Sequence, residues 1–310
     1  MGLTADPDDP MWRIAYNPLP WMFADGTFHP SRLPSLEEIA GVLHAGGFTA
    51  IQADVPEGTD ARAFGQVLAA VRLDPAPGYF HADFADDDRI DEILEAVRRF
   101  AAGQRELGLR EAILACAPVP ARTVCPGRGA DPSAARLSAL CERLGVAARL
   151  MRAEGVQACL HPHVGTWIET EEECDAVLGA VAPEDLLLAP DNGHLLWAGV
   201  DPVAYISRHR ERVGALHLKD VHLDRLAAAR QRGDDLAAAT SAQIWAEPGR
   251  GDVDLDAILR AVGPDFGGWV IVEVDVFDEQ TPQESVRSAG RWARAHLANR
   301  GRWGTSGGTT

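Results

Sequence analysis

An α/β fold of the (β/α)8 barrel type is what this sequence predicts, on three observations. Short β-rich apolar runs alternate with longer segments of helical period along most of the chain, which is the pattern of parallel βαβ units. Eight such strand–helix pairs can be counted in the sequence, the number that closes a barrel. The first strand is followed by "NPLPWMFADG", where a doubly wound nucleotide-binding sheet would carry a glycine-rich phosphate loop.

Taken in order, "MWRIAYNP" (11–18) is the first strand and "SLEEIAGVLHAGG" (35–47) the first helix. Ser35 is placed to N-cap that helix, Glu38 to complete a capping box, and glycine to end it. "TAIQADV" is the second strand and "DARAFGQVLAAV" its helix. A weaker strand around "APGYFHADF" follows, then the long helix "DRIDEILEAVRRFAAGQRELG". In that helix Ile90, Ile93, Leu94, Val97 and Phe100 fall on one stripe. The second half continues with strand "EAILACAP", a helix over 133–154, strand "QACLHPH", a helix from Thr170, strand "LLLAPDN", helix "DPVAYISRHRERV" and strand "GALHLKD". "DLDAILRAVG", "GGWVIVEVDV" and "PQESVRSAGRWARAHLA" supply the last helix–strand–helix run.

Residues 221–246 are too long for a simple connection and are expected to form a loop insertion with a short helix near the active face. The remainder reads as one domain over 1–300, and "GRWGTSGGTT" (301–310) as a disordered tail. A chain of 310 residues suits a single barrel.

Composition narrows the partners. The net charge of −17 repels phosphate backbones, so nucleic acid is not expected as a partner. No apolar run approaches the ~20 residues of a membrane span, and no membrane partner is expected. The acidic, proline-rich start "MGLTADPDDPMW" lacks the basic and apolar regions of a secretory signal. Five cysteines without a CxxC pair suit reduced thiols. A cytoplasmic location is expected, with a homo-oligomer or a small partner subunit as open possibilities.

Catalytic groups of such barrels sit at the C-terminal ends of the strands. Here those ends carry His161 and His163 in "CLHPH", Asp191 and His194 in "LLLAPDNGH", His217, Lys219 and Asp220 in "ALHLKD", and Glu273 and Asp275 in "VIVEVD". Residues i and i+2 of a strand share a face, so His161 and His163 could approach one ion together. Glu273 lies between residues that should be buried, and a buried carboxylate needs a cation or several donors. His161, Asp191, His217 and Glu273 offer a mixed nitrogen and oxygen set that suits Mn, Zn, Co or Fe better than Ca.

"LHPHVGTWIETEEE", "DNGHLLWAG.DP", "ALHLKDVH", "EPGRGDVDLDAIL" and "GWVIVEVD" together resemble the xylose isomerase-like TIM-barrel superfamily of sugar isomerases, epimerases, dehydratases and AP endonucleases. They are most similar to the inosose (2-keto-myo-inositol) dehydratase branch, and "YNPLPW", ending in Trp21, resembles that branch's first strand. The resemblance implies a divalent metal, manganese first and Co, Zn, Mg or Fe after it, on Asp191, His217 and Glu273. His161 stands where many relatives have glutamate, which argues against a symmetric two-base epimerisation.

The implied chemistry is removal of a proton α to the ketone of a keto-polyol, followed by dehydration or isomerisation. His163, Glu273 and Asp220 are candidate bases, and Lys219 is the electrostatic partner of the developing oxyanion. His194, Arg250, Asp220 and Trp21 are candidate substrate contacts. Within the fold, a sugar isomerase or epimerase and the catalytic subunit of a C-glycoside-cleaving complex are the alternatives. Outside it stands a non-catalytic carbohydrate-binding barrel.

Overall fold

In the computed structural model residues 12–24, 27–52, 54–56, 58–279, 281–297 and 301–302 are described. Strands Trp12–Tyr16, Ala50–Gln52, Asp74–Ala76 with Tyr79–Ala82, Glu111–Cys116, Gln157–Leu160, Leu186–Leu188, Ala215–Leu218 and Trp269–Val272 occupy the eight barrel positions. All their pairings are parallel, and Trp12–Tyr16 lies between Trp269–Val272 and Ala50–Gln52, which joins the first barrel strand to the last. Between Leu186–Leu188 and Ala215–Leu218 the ladder is reduced, among the described residues, to the bridges Leu188 to Val213 and Asp191 to His217. The third position is broken at Pro77–Gly78, where proline cannot donate to a ladder.

The helices form where local chemistry favours them. Ser35 and Glu38 make the expected capping box on Leu36–Gly46, and Gly47 ends that helix in the left-handed region at φ 88°. Thr170 and Glu173 make a second capping box on Glu171–Ala180. Ile93, Val97 and Ala101 bury one stripe of Ile90–Glu106 against the barrel wall.

Two layers of core follow from the period of two along each strand. Ile14, Tyr16, Ala112, Leu114, Ala158, Leu160, Leu216, Leu218, Val270 and Val272 face the helices. Ala15, Ala50, Ala76, Ile113, Cys159, Ala189, Ala215 and Ile271 fill the barrel interior, mostly with small side chains that suit its narrow bore.

Two expectations need correction. Residues 221–246 hold two helices, Leu223–Arg232 and Leu236–Ser241, and they open and close on an antiparallel pair, Asp220–Val221 with Trp245–Ala246. Leu226, Ala229, Ala239, Ile244 and Trp245 pack with Val164 and Trp197 into a satellite core, so the segment is a packed lid-like subdomain rather than a loop. At the C-terminal end Gly301–Arg302 pairs with Trp12 and Arg13, so the expected tail is ordered at its start; 303–310 lie outside the described residues. Among the described residues no helix is long and apolar enough to cross a membrane.

Candidate metal centre

The inward parity of the strands carries directly into the site. Cys159, Ala189, Ala215 and Ile271 point into the barrel, so two residues further on His161, Asp191, His217 and Glu273 converge above them at the C-terminal mouth. All four are buried, at 2%, 0%, 1% and 4% exposure. One ligand atom each from His161, Asp191 and His217 lies within 4.8 Å of the others. Glu273, expected as the fourth ligand, stands beside this trio: its Oε2 is 3.1 Å from His217 Nδ1 and accepts a 2.8 Å hydrogen bond from Asn17.

Asp191 has a double task. Its Oδ1 N-caps the helix Asn192–Ala198 by accepting from the backbone N–H of Gly193 at 2.8 Å and His194 at 3.0 Å. That leaves Oδ2 buried without a hydrogen bond. Gly193 is required there, because a Cβ would stand 2.7 Å from the Trp245 ring.

Lys219 enters the same volume from the next inward position of its strand. Its Nζ lies 3.1 Å from Asp191 Oδ2, 2.8 Å from Glu273 Oε1 and 2.9 Å from Asp275 Oδ1. Burial works against the ammonium, but the three carboxylates outweigh it and hold its pKa well above the ordinary value. Burial pushes Asp275 up to about 7, against the pull of Lys219.

The imidazoles are held neutral. Burial, then the neighbouring His217, His163 and Lys219, keep His161 well below its usual range. Burial brings both His163 and His217 down to about 4, and His194 is lowered well below the usual range by burial and then by its neighbours His163 and Lys219. Hydrogen-bond partners assign two tautomers. His163 Nδ1 lies 2.7 Å from the Val164 carbonyl, which only accepts, so Nδ1 carries the proton and Nε2 is the free acceptor. His194 Nε2 faces the Lys219 ammonium at 3.2 Å, so it accepts and Nδ1 carries the proton. These two rings pack with centroids 3.7 Å apart.

The remaining expected residues fall elsewhere. Asp220 is buried, but its two oxygens accept from the backbone N–H of Val221, Gly249, Gly251 and Val253 at 2.8–3.1 Å. It anchors the returning loop and has no lone pair to spare as a base or substrate contact. The Arg250 side chain is 45% exposed and bonded to Glu279 at 2.7 Å, so it braces the rim. Trp21 is half-buried, edge-on to Tyr16 with centroids 6.3 Å apart, and packs on the outer core.

Several site residues were not singled out from the sequence. Asn17 and Gln52 share a 2.7 Å hydrogen bond, and Gln52 Nε2 lies 3.5 Å from His217 Nε2. Both sit two residues beyond an inward alanine, Ala15 and Ala50, so parity alone would have marked them. Tyr79 packs edge-on to His161 and Trp245 edge-on to His194. Asn192 locks Lys219 by bonding its backbone N–H and carbonyl at 2.9 and 2.6 Å.

Among the described residues the His161, Asp191 and His217 group is the one whose ligand atoms could close on an ion. The fit is chemical as well as spatial: His161 Nδ1 is buried without a hydrogen-bond partner, which is costly, while Asp191 Oδ2 and His217 Nδ1 make no aligned hydrogen bond and stand in ion-pair contact with Lys219 and Glu273, each at 3.1 Å.

Comparison with known proteins places this architecture. Residues 42–296 match the xylose isomerase-like TIM barrel family, and the chain belongs to that family. It is 29% identical over 88% of its length to the rhizopine catabolism protein MocC of Rhizobium meliloti, of which 83% is covered. It is 30% identical to an inosose dehydratase of Geobacillus kaustophilus over 62% of this chain and 64% of that enzyme. Among solved structures, the IolI protein with a bound zinc atom superposes with a TM-score of 0.68 at 14% identity, covering 93% of this chain and 99% of that one. An L-ribulose 3-epimerase gives 0.67 at 16% identity, covering 94% and 96%. At these identities the structural likeness establishes the fold.

Proposed function

We propose that this member of the xylose isomerase-like TIM barrel family is a divalent-metal-dependent carbon–oxygen lyase of keto-polyols, dehydrating its substrate in the manner of the inosose dehydratases it resembles. The single observation that carries this reading is the buried convergence of His161, Asp191 and His217 on one point, beside Glu273 and Lys219. His161, Asp191 and His217 would hold the ion, with Glu273 adjacent to complete the shell, and the mixed nitrogen and oxygen donors suit Mn²⁺ or Zn²⁺. When bound, such an ion polarises a ketone and its neighbouring hydroxyl, which acidifies the proton between them.

The chain's own residues supply the rest. His163, neutral because burial lowers it to about 4, presents an unprotonated Nε2 to take that proton. Lys219, locked by Asn192, keeps a permanent positive charge where negative charge develops on substrate oxygen. His194 carries its proton on a buried Nδ1 with no protein partner, its ring packed beside that of His163, and so is placed to donate to a departing hydroxyl. An acceptor and a donor side by side favour loss of water over return of the proton to the opposite face.

The test is incubation of metal-loaded protein with a panel of keto-inositols and ketoses in deuterated water. The expected result is a product that has lost water, with solvent deuterium entering substrate only at the carbon next to the ketone. Deuterium without water loss would make the protein an isomerase or epimerase. Bound metal with no deuterium in any ligand would make it a carbohydrate-binding barrel.

A further inference from the structure

The polar layer at the mouth of the barrel contains three carboxylates and one ammonium. Lys219 Nζ is within 3.1 Å of Asp191, Glu273 and Asp275, and 3.2 Å from His194 Nε2. An ammonium has three N–H bonds, yet here it faces four acceptors. At least one acceptor must go unmet, and Asp191 Oδ2 and Asp275 Oδ1 lie within ion-pair distance of Lys219 without an aligned hydrogen bond. The lysine therefore compensates the charge of these carboxylates without satisfying their lone pairs. Trp245, whose ring centroid lies 4.7 Å from Nζ, closes the lysine off from solvent.

We propose that Lys219 sets the charge of this site: it cancels one of the three carboxylate charges, so that the pocket keeps two negative charges, matched to one divalent cation. This rests on the metal-dependent reading above. Asp275, two residues beyond Glu273 and 2.9 Å from Lys219 Nζ, acts as the counterweight. Removing the ammonium should make the pocket hold a divalent ion more tightly, and removing the Asp275 charge should make it hold the ion less tightly. In a closely packed interior one unit charge at a few ångströms shifts affinity by at least tenfold.

The experiment is direct titration of the full chain with Mn²⁺, read as a dissociation constant at one fixed pH for all variants. Lys219→Met should bind Mn²⁺ at least ~10-fold more tightly than wild type, Asp275→Asn at least ~10-fold more weakly, and the double variant within about threefold of wild type, because the two charges cancel. Thermal melts of each variant report folding independently. If folded Lys219→Met bound Mn²⁺ equally or more weakly, or if the double variant lost affinity beyond both single variants, the charge-setting role would be overturned. If Lys219→Met does not fold, unchanged affinity in Asp275→Asn overturns it and a tenfold loss supports it. Wild-type protein that binds no Mn²⁺ or Zn²⁺ would instead bring down the metal-dependent reading itself.

Discussion

Two sets of buried carboxylates in this chain are treated in opposite ways. Asp220 and Glu169 are saturated. Asp220 accepts from four backbone N–H groups, and Glu169 accepts from Gly127, Gly129 and Gly165 and from Arg122 at 2.7–2.9 Å. Each thereby pins two loops together, and Glu169 fixes the turn that follows His163. Asp191, Asp275, His161, His194 and His217 are buried too but keep atoms without a hydrogen bond. Buried polar groups that complete their hydrogen bonds hold a structure in place, whereas those that do not are available to a ligand.

That contrast can be broken at the unsaturated end first. His163→Ala should lower turnover on any accepted keto-polyol by about 10²- to 10⁴-fold while metal stays bound, as loss of a proton-transfer group does. Single-turnover proton exchange with parallel metal analysis checks it; a near-wild-type rate would return the proton transfer to Glu273. Glu273→Gln keeps the shape but removes the charge that meets Lys219 and His217, and should cost at least ~100-fold in turnover. His161→Ala removes a ligand rather than an acid or base, so its main effect should be weaker metal retention, on the order of 10- to 100-fold by titration. Equal metal affinity in that variant would mean that Asp191, His217 and Glu273 hold the ion without it.

At the saturated end the expected change is in stability, with little effect on chemistry. Asp220→Asn leaves one amide oxygen where two carboxylate oxygens served four donors, so the melting temperature should fall by an amount equivalent to roughly 1–3 kcal/mol, while the metal affinity of the folded protein stays unchanged. A loss of metal binding without a loss of stability would place Asp220 in the site after all. The smallest effect concerns pH. His163 is neutral in the metal-free fold down to about pH 4 but takes up a proton near its ordinary 6.5 when unfolded. The unfolded chain therefore binds more protons between those values, and wild type loses stability as pH falls through that window. His163→Asn lacks this loss, so its melting temperature should rise relative to wild type between pH 6.5 and 4. A difference that is flat in pH would mean that the imidazole is not held neutral.

Much of the site was readable because the strand period was. His161, Asp191, His217, Lys219 and Glu273 were all found by asking which polar residues close an apolar run, and the structure brings all five together. Asp220 misled that reasoning. It ends the same run as Lys219 but has the opposite parity, and so turns away from the bore to meet a loop some thirty residues on. Arg250 sits off any strand, where periodicity says nothing about direction.

The sequence by itself determined the local choices: where each helix is capped, as at Ser35 and Thr170, which residues alternate inward, and that the inward residues at the strand ends are imidazoles and carboxylates. These depend on neighbours within a few positions, whose energetics are local. Only the tertiary structure decided which of those groups meet. Asn17 reaches Glu273 across 256 residues because the first and last barrel strands pair, and Lys219 shares its charge among Asp191, Glu273 and Asp275 because three strand ends close on one axis. Barrel closure fixes those distances, and they decide whether a buried polar atom finds its partner in the protein or keeps a lone pair for a ligand.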